Sequence, residues 1–383
     1  MRASAVLARL NWWVVLAASA VAMLGCAFIR SSTMDDPVRS GLYVKQGLLL
    51  AIAAGSGLGL ILVPYQRVIR YAWVLYACAV AALIGLRWFG TTINGAQRWY
   101  SLPGFSVQPS EIAKLGVIVA LASYLRFRSK AGVVEGVLVP LLIAGVPALL
   151  VLRQPDLGSA LVFGPVLFAM CFAAGAPTRS FVRLLLLALV VCAGAYFVLH
   201  DYQRVRVDVW VDHFAWDSGA ERNDPDVRSA ILGPGYQPWQ SLIAIGSGGW
   251  TGFGFEQGPQ NRYGFLPYRY DDYIFSVVAE EVGLLGACGL LLLQALVVVG
   301  LLGIAWRTRE RFGRLLAVGV ATYIATQTLV HAAVCTWLIP ATGLPMPLVS
   351  YGGSSVVVSV WALALALNVG ARQAHVLAPD GYG

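Results

Sequence analysis

The chain has 383 residues, of which 58% are hydrophobic and only 12% are charged, and its mean hydropathy is +0.71. These values exclude a soluble enzyme, a disordered chain and a disulfide-rich scaffold, because one aqueous core could not bury so much apolar surface. They indicate a polytopic membrane protein, in which the positive-inside rule accounts for the net charge of +8 without a nucleic-acid partner.

Ten apolar runs follow one another along the chain, and a bilayer span needs about 20 apolar residues. The fold is therefore predicted to be all-α, with ten transmembrane helices in a single membrane domain that covers residues 1–383. The first run is expected to be an uncleaved helix. The predicted spans are 12–29, 43–63, 71–89, 109–125, 135–152, 157–175, 181–200, 272–306, 315–338 and 350–370.

Basic residues are concentrated in alternate connections between the predicted helices. With the N-terminus inside, the inner connections contain Arg67 and Arg70, three basic residues at 126–130 and four arginines at 307–314. The positive-inside rule then places both termini in the cytoplasm and the protein in the cytoplasmic membrane as a multi-pass chain.

One outer connection, residues 201–270 between helices 7 and 8, is much longer than the others and is rich in Asp, Arg, Gly, Pro and aromatic residues. A segment of this length is typical of a functional loop rather than of a passive connector. The sequence shows no internal repeat, so the inverted-repeat pattern of many transporters is missing.

Charged residues inside or beside the spans are costly and are therefore the first functional candidates. Glu111 and Lys114 are three residues apart near the start of helix 4, where they could form a structural ion pair or contribute to a site. Arg98 and Trp99, in the outer loop before this helix, could anchor the chain at the membrane interface. Alternatively, the Arg98 guanidinium could hold a lipid diphosphate through bidentate hydrogen bonds.

Three further polar stretches allow either a structural or a functional interpretation. Asp156, between helices 5 and 6, could complement a helix dipole or line a site. The glycine-rich stretch 235–254 could approach an anion through backbone N–H groups or only form tight turns, and its signal as a phosphate loop is weak. The segment 343–355 could be a kinked entry into helix 10, or it could allow a lipid or another chain to approach closely.

Asp271 and Asp272 open helix 8, where one acid would be a common helix cap but two in tandem suggest chemistry. Asp272, Ser276 and Glu280 are expected to share one helix face, with about 12 Å between the two acids. A carboxylate close to the lipid headgroups could act as a general base or bind a divalent cation.

Five motifs occur in order along the chain: NGAQRWYSLPGFSVQPSEIAK (94–114), QPDLGSAL (154–161), GYQPWQSLIAIGSGG (235–249), DYIFSVVAEEVG (272–283) and TGLPMPLVSYGGSS (342–355). Together they resemble the SEDS family, the shape, elongation, division and sporulation proteins, over nearly the whole sequence. The QRW triplet and the AIGSGG segment are closest to the RodA-like members of this family.

The resemblance implies a peptidoglycan glycosyltransferase that polymerises lipid II at the outer face of the cytoplasmic membrane, in partnership with a class B penicillin-binding protein. Its RodA-like motifs favour cell-wall elongation and cell-shape maintenance over division. The resemblance also maps the essential aspartate of the family onto Asp272 as the catalytic residue. The candidate substrate-binding residues are Arg98, Trp99, Glu111, Lys114, Asp156, Gln240, Ser241, Ser350, Tyr351, Gly352 and Gly353.

A β-1,4 bond formed from an α-linked diphosphate requires inversion, so a single in-line displacement is expected, with Asp272 as the base. A divalent cation, Mg or Mn, is a candidate cofactor with Asp272 as its ligand, and no organic cofactor is expected. Membrane lipids are expected partners, and nucleic acid is not. The candidate cations for the diphosphates are Arg98, Lys114, Arg204 and Arg262.

The chain departs from the family pattern at Tyr268, Tyr270 and Asp271, where the family commonly has Glu, His and Thr. Asp271 could share or perturb the role of Asp272, because adjacent carboxylates raise each other's proton affinity. Two other functions stay open. One is a lipid II flippase, which needs polar residues through the membrane midplane, and the other is a non-catalytic scaffold that activates a penicillin-binding protein.

Overall fold

The computed structural model describes residues 3–93, 96–102, 105–127, 134–177, 201–213 and 225–372, with four more positions between 182 and 194. Most of the predicted span at 181–200 lies outside the described residues, as do the first half of the polar segment 214–233 and the residues after 372. The remaining nine predicted spans all correspond to helices of the described part.

The helices follow the apolar runs of the sequence closely. In chain order they are α1 (Ala3–Ala8), α2 (Trp12–Thr33), α3 (Leu42–Leu62), α4 (Tyr65–Phe89), α5 (Pro109–Leu125), α6 (Val139–Arg153), α7 (Leu157–Ala173), α8 (Asp201–Asp212), α9 (Pro225–Leu232), α10 (Tyr236–Ser247), α11 (Pro259–Arg262), α12 (Ile274–Arg307), α13 (Arg311–Cys335) and α14 (Gly353–Arg372). Among the described residues, seven segments are long and apolar enough to cross a membrane: α2, α3, α4, Gly136–Arg153, α12, α13 and α14.

Helices α5 and α7 have only 17 residues each, fewer than the about 20 that a bilayer span needs, whereas the 15 residues of α6 are extended at their start by a π-helix, Val134–Leu138. Pro109 occupies the first turn of α5, where its missing N–H costs nothing. Asp156 caps α7, because its Oδ1 accepts a hydrogen bond of 3.0 Å from the backbone N–H of Ser159. Helix α5 is buried along nearly its whole length and packs against α4, α6 and α13, so it forms the centre of the fold.

The connection between α4 and α5 is a three-stranded antiparallel sheet, which the sequence analysis did not predict. Its strands β1 (Thr91–Ile93), β2 (Ala96–Leu102) and β3 (Phe105–Val107) lie in the order β1-β2-β3. The fold is therefore mostly helical rather than all-α. The central strand β2 carries Arg98 and Trp99. Trp99 pairs with Thr91 of β1, and Arg98 lies at the register shift between this pair and the next, Thr92 with Gln97.

The described parts of the long connection 201–270 contain four helices together with turns. The helices are α8, α9, α10 and the short α11, and α10 packs against both α12 and α13. This connection is therefore a folded layer over one end of the membrane helices, and it brings residues of α8 and α10 toward the start of α12.

Helix α12 begins at Ile274 and contains a break at Gly283, whereas the sequence predicted an uninterrupted helix from 272 to 306. Gly283 has φ 66° and ψ −170°, a conformation essentially restricted to glycine. The break frees backbone groups that bond to the segment after α10: the N–H of Leu284 donates to Gly249 O at 2.8 Å, and Gly254 donates to Glu281 O at 2.9 Å.

Candidate active site

A cavity of about 1180 Å³ lies where the sheet, the starts of α5 and α7, helix α8 and two loops meet. The two loops are 268–273, which leads into α12, and 340–353, which leads into α14. Five charged residues line the cavity: Lys45, Arg98, Arg206, Asp271 and Asp272. Three cations and two carboxylates around one cavity are suited to an anionic substrate that must also lose a proton.

The two aspartates lie in a turn that immediately precedes α12. The carbonyl of Tyr268 accepts hydrogen bonds from the N–H groups of Asp271 at 3.1 Å and Asp272 at 3.0 Å, which closes the turn. Tyr268 has φ 52°, a left-handed conformation that is uncommon for a residue with a side chain. Both carboxylates are thereby presented to the cavity.

Burial raises the pKa of Asp272 to about 6; the charges of Arg206 and Arg98 oppose this rise, and the charge of Asp156 adds to it. Burial also raises the pKa of Asp271 well above its usual range, and the charge of Asp272 adds to that rise. Both carboxyls of the turn therefore bind their protons more tightly than a solvent-exposed aspartate does.

The expected acidic stripe of Asp272, Ser276 and Glu280 is wrong, because Asp272 precedes the first residue of the helix. Ser276 Oγ lies 2.6 Å from Ser241 Oγ. Glu280 is fully buried and accepts hydrogen bonds from the N–H groups that open α11, at 2.6 and 3.1 Å. Neither Ser276 nor Glu280 lines the cavity.

Arg98 lines the cavity from β2 and holds the loop that precedes α7. Its Nε donates to Gln154 O at 2.8 Å, and its Nη2 donates to Pro155 O. Trp99 follows it along the strand and also lines the cavity. Arg98 is thus oriented by backbone carbonyls on one side and borders the cavity, which agrees with a role in anion binding better than with a membrane anchor.

Asp156 is the N-cap of α7, where its charge complements the helix dipole, as one of the two interpretations of the sequence expected. Its Oδ1 accepts the hydrogen bond from Ser159, and its Oδ2 accepts a hydrogen bond of 2.9 Å from Gln108 Nε2, so both carboxylate oxygens have a partner. The side chain is buried and does not line the cavity. Its charge nevertheless acts on the pKa of Asp272.

Glu111 and Lys114 form a buried ion pair, with Lys114 Nζ 2.6 Å from Glu111 Oε1. Tyr323 of α13 places its hydroxyl 3.4 Å from Glu111 Oε2. The pair lies about one helical turn inside α5 and does not line the cavity. These contacts match the interpretation as a structural ion pair that fixes helix packing.

The segment from Ser350 to Gly353 packs against the turn that contains Asp271 and Asp272 and forms hydrogen bonds with its backbone. Ser350 Oγ donates to Asp271 O at 2.7 Å and accepts from the N–H of Met346 at 2.8 Å. Tyr351 N–H donates to Tyr270 O at 2.9 Å. Tyr351, Gly352 and Gly353 line the cavity, whereas Ser350 is buried behind it and acts on the backbone of the turn.

Gln240 and Ser241, on α10, do not line the cavity. Ser241 is buried and donates to Cys335 O at 2.6 Å, so it joins α10 to the end of α13. The residue of this helix that does line the cavity is Gln237.

Sequence reasoning missed two of the cations in the cavity, Lys45 and Arg206. Lys45 is a lone charge in the apolar helix α3, and this was a usable signal because isolated charges in spans are commonly functional. Arg206 could not be separated from its neighbour by sequence. Arg204 forms an ion pair of 4.0 Å with Asp201, and neither Arg204 nor Arg262 lines the cavity.

No group of three or more His, Cys, Asp or Glu side chains that could hold a metal ion occurs among the described residues. Asp271 and Asp272 supply hard oxygen donors that fit a divalent cation, provided that its other ligands come from a substrate diphosphate and water. A metal cage built from protein side chains alone is absent from the described part of the chain.

Comparisons with known proteins give one consistent answer. The family model of the FtsW, RodA and SpoVE proteins, described as "cell cycle protein", matches residues 7–375. The probable peptidoglycan glycosyltransferase FtsW of Tolumonas auensis is 33% identical over 354 residues, which cover 90% of this chain and 88% of the relative. The peptidoglycan glycosyltransferase MrdB of Escherichia coli K12 is 34% identical over 327 residues, 85% of this chain and 83% of the relative.

Solved structures agree with these relatives. A chain of a peptidoglycan synthase complex, solved to show how polymerization and crosslinking are coordinated, superposes with a TM-score of 0.78 at 30% identity, covering 95% of this chain and 98% of that chain. The crystal structure of Thermus thermophilus RodA, a rod shape determining protein, gives a TM-score of 0.69 at 28% identity, over 95% of this chain and 97% of that one.

Proposed function

The chain belongs to the FtsW/RodA/SpoVE family of cell cycle proteins, and we propose that it is a peptidoglycan glycosyltransferase that polymerises lipid II at the outer face of the cytoplasmic membrane. Support comes from its relatives, which are named peptidoglycan glycosyltransferases. The RodA-like motifs favour a role in cell-wall elongation. The topology that goes with this function has ten spans and both termini in the cytoplasm.

The observation that carries the proposal is the position of the Asp272 carboxylate in a cavity that Lys45, Arg98 and Arg206 also line. Glycosyl transfer from a lipid diphosphate needs a base for the acceptor hydroxyl and positive charge for the departing diphosphate. The cavity contains both, and its polar groups lie where the outer loops meet the membrane helices.

In the proposed reaction, Asp272 accepts the proton of the acceptor 4-hydroxyl while that oxygen attacks the anomeric carbon of the donor. The bond from this carbon to the diphosphate breaks in the same in-line displacement, so the α-linkage becomes a β-1,4 linkage. Arg98, Arg206 and Lys45 stabilise the negative charge that develops on the diphosphate. Asp272, with a pKa of about 6, is mostly ionised near neutral pH and so is suited to act as a base.

Burial and the charge of Asp272 raise the pKa of Asp271, and in its protonated form Asp271 can donate a hydrogen bond to a substrate oxygen or to Asp272. A divalent cation, Mg or Mn, would be held by Asp272 together with diphosphate oxygens, and it would supply additional positive charge to the leaving group. Every other step is carried by side chains of this protein.

The proposed partner is a class B penicillin-binding protein, whose transpeptidase crosslinks the new strands. Support comes from the similarity to a chain of a peptidoglycan synthase complex in which polymerization and crosslinking are coordinated. The substrate and the surrounding lipids reach the cavity from the membrane.

The test is glycan polymerisation from purified lipid II by the detergent-solubilised protein and its cognate penicillin-binding protein. Asp272→Asn preserves the shape of the side chain but removes the base, so we expect a loss of about 10² to 10⁴-fold in rate. Arg204→Gln is a matched control outside the cavity, and a chelator series tests the cation. If Asp272→Asn makes polymer at the wild-type rate, Asp272 is not the base. A scaffold would show no polymer from either protein in the absence of another polymerase, and a flippase would move lipid II in vesicles without extending it.

A further inference from the structure

Helix α13 carries a buried polar face that the proposed reaction does not use. Gln327, Thr328 and His331 are 0%, 5% and 1% exposed. Gln327 and Thr328 precede His331 by four and three residues, so the three side chains are neighbours on one side of the helix. Polar side chains buried in an apolar membrane helix are costly, and each calls for a specific role.

His331 uses only one of its two ring nitrogens in contacts with the described protein. Nδ1 lies 2.8 Å from Leu344 O, and because a carbonyl only accepts, Nδ1 carries the proton. The ring is neutral, since a buried imidazolium without a carboxylate partner would be very costly. Nε2 is therefore an acceptor, and it has no hydrogen-bond partner among the described residues.

The two neighbours of His331 are in the same situation. Both amide atoms of Gln327 and the hydroxyl of Thr328 are buried and have no hydrogen-bond partner within the described part of the chain. Each unsatisfied polar group in such a place costs about 1–3 kcal/mol. One ordered water makes about three hydrogen bonds, and these groups provide amide donors, a hydroxyl and the Nε2 acceptor within one turn of helix.

The hydrogen bond from His331 fixes a wall of the cavity. Leu344 lies in the segment 342–345, of which Thr342, Gly343 and Pro345 line the cavity. The backbone of Gly343 is next to the catalytic candidate, because a Cβ built on it would lie 3.4 Å from Asp272 Oδ2. Movement of Leu344 would therefore change the space beside the Asp272 carboxylate.

We propose that His331 is a positioning residue for the reaction, and that an ordered water shared with Gln327 and Thr328 holds its ring in the orientation that keeps segment 342–345 against Asp272. This inference rests on the proposed function, because it assigns to His331 an effect on the base of that reaction. His331 itself does not touch the substrate.

The first test compares His331→Leu with His331→Asn in the lipid II polymerisation assay. Leu fills much of the space but cannot donate to Leu344 O. Asn carries its amide N–H on Cγ, as His carries Nδ1, and so restores the donor. Because a displacement of about 1 Å near reacting atoms can cost about 10²-fold, we expect kcat to fall about 100-fold in His331→Leu, with KM for lipid II changed less than about threefold, and to recover most of that loss in His331→Asn.

Thr322→Val is the matched control on the same helix, because Thr322 Oγ1 donates only to Val318 O of its own helix, at 2.9 Å. We expect the wild-type rate from it. If His331→Leu does not purify as a monodisperse protein, His331→Met replaces it. A wild-type kcat in either folded apolar variant overturns the positioning role.

The shared water is tested by a double-mutant cycle with Gln327→Leu. If both side chains act through one water, Gln327→Leu alone lowers kcat about tenfold and the double variant is no worse than His331→Leu alone. Independent, additive losses in kcat would overturn the shared water.

Rescue by the conservative variant separates positioning from a general loss of structure. The kcat of His331→Leu and of His331→Asn is compared per amount of monodisperse protein, and only His331→Asn restores the donor to Leu344 O. If His331→Asn at matched Tm is as slow as His331→Leu, the positioning role is overturned.

Failure of this inference is distinguishable from failure of the proposed function. If wild type polymerises lipid II, Asp272→Asn does not, and His331→Leu matches wild type in kcat, only the role of His331 is refuted. If wild type makes no polymer under any condition, the proposed function is refuted, and the role of His331 with it.

Discussion

The pKa of Asp272, about 6, gives a sharp prediction for the pH dependence of polymerisation. A carboxylate that acts as a base must be ionised, so the rate should follow its ionised fraction. With this pKa, roughly nine tenths of the protein has the base ionised at pH 7 and roughly one tenth at pH 5. The rate at saturating lipid II should therefore fall about tenfold across this interval and reach half its plateau near pH 6.

Arg206→Gln tests the physical cause of that midpoint. Arg206 is the largest of the charges that oppose the burial effect on Asp272, so its removal should raise the pKa of Asp272, by about one unit. The half-maximal rate then moves to higher pH, and the rate at pH 6 relative to the plateau falls about fivefold. The maximal rate at high pH should also fall, because the variant lacks the Arg206 charge proposed to stabilise the diphosphate. The pH of the half-maximal rate is measured independently of that maximal rate.

Arg204→Gln is the matched control for this experiment. Its side chain is two residues away on the same helix, pairs with Asp201 at 4.0 Å and does not line the cavity. The assay measures initial rates of lipid II polymerisation from pH 5 to pH 8 at constant ionic strength, with the partner protein present. A flat profile, or a midpoint that moves to lower pH in Arg206→Gln, would refute the reasoning.

Three further predictions concern the supports of the site. Ser350→Ala removes the hydrogen-bond partner of Asp271 O and of the Met346 N–H, and each unsatisfied group costs about 1–3 kcal/mol of stability. The variant should therefore have a lower Tm in detergent and a slower polymerisation rate. The control Ser247→Ala removes a hydrogen bond within its own helix and should change neither the Tm nor the rate. Lys114→Met leaves the Glu111 carboxylate buried without its ion-pair partner and should lower the free energy of unfolding by about 3–5 kcal/mol. If the pair is structural, the double variant Glu111→Gln/Lys114→Met should recover both the Tm and the activity. Lys114→Met with the wild-type Tm and the wild-type activity would contradict this. Gly283→Ala should reduce the yield of folded protein, because the new Cβ would lie 2.5 Å from the backbone of the 250–252 segment; normal thermal stability in that variant would show that the break in α12 is not required.

The spans could be predicted from sequence because the signal is local. A membrane helix is specified by the length and hydropathy of one continuous run, and the runs at 12–29 and 43–63 correspond to α2 and α3 within a few residues. The same local signal cannot show that the chain after Val282 leaves the helix for one residue. That break depends on contacts with the segment after α10, which is distant in sequence.

The sheet had a usable local signal that was not used. Ile93 pairs with Ala96, and the dipeptide between them in the sequence is Asn94-Gly95, whose own positions are outside the described part. Asn-Gly between two short strands is the strongest short-range signal for a hairpin. The long apolar runs on either side of this signal predict only a connection between two membrane helices.

The site itself was only partly predictable. The family motifs point to Asp272. General helix chemistry predicts that Asp156 complements a helix dipole, but not that its side chain caps α7. The position of Glu280 outside the cavity could not be predicted. Placing Asp272 and Glu280 on one helix face requires a helix that already includes Asp272, whereas α12 begins at Ile274. Arg206 was hidden for a different reason: in an alternating polar helix, only the tertiary fold decides which arginine faces the cavity.

Under the proposed function, the lengths of α5 and α7 would allow a polar site to serve a substrate that stays in the membrane. At 1.5 Å per residue, 17 residues give about 26 Å, several Å less than the about 30 Å of the hydrocarbon layer. Helices α5 and α7 both begin at the cavity. If their other ends reach the inner membrane interface, this difference in length places the bottom of the cavity below the level of the outer lipid headgroups. The positive ends of both helix dipoles then point toward the position of a diphosphate, in addition to Arg98 and Arg206. A lipid-linked sugar could thus reach the base at Asp272 without withdrawing its polyprenyl chain from the bilayer.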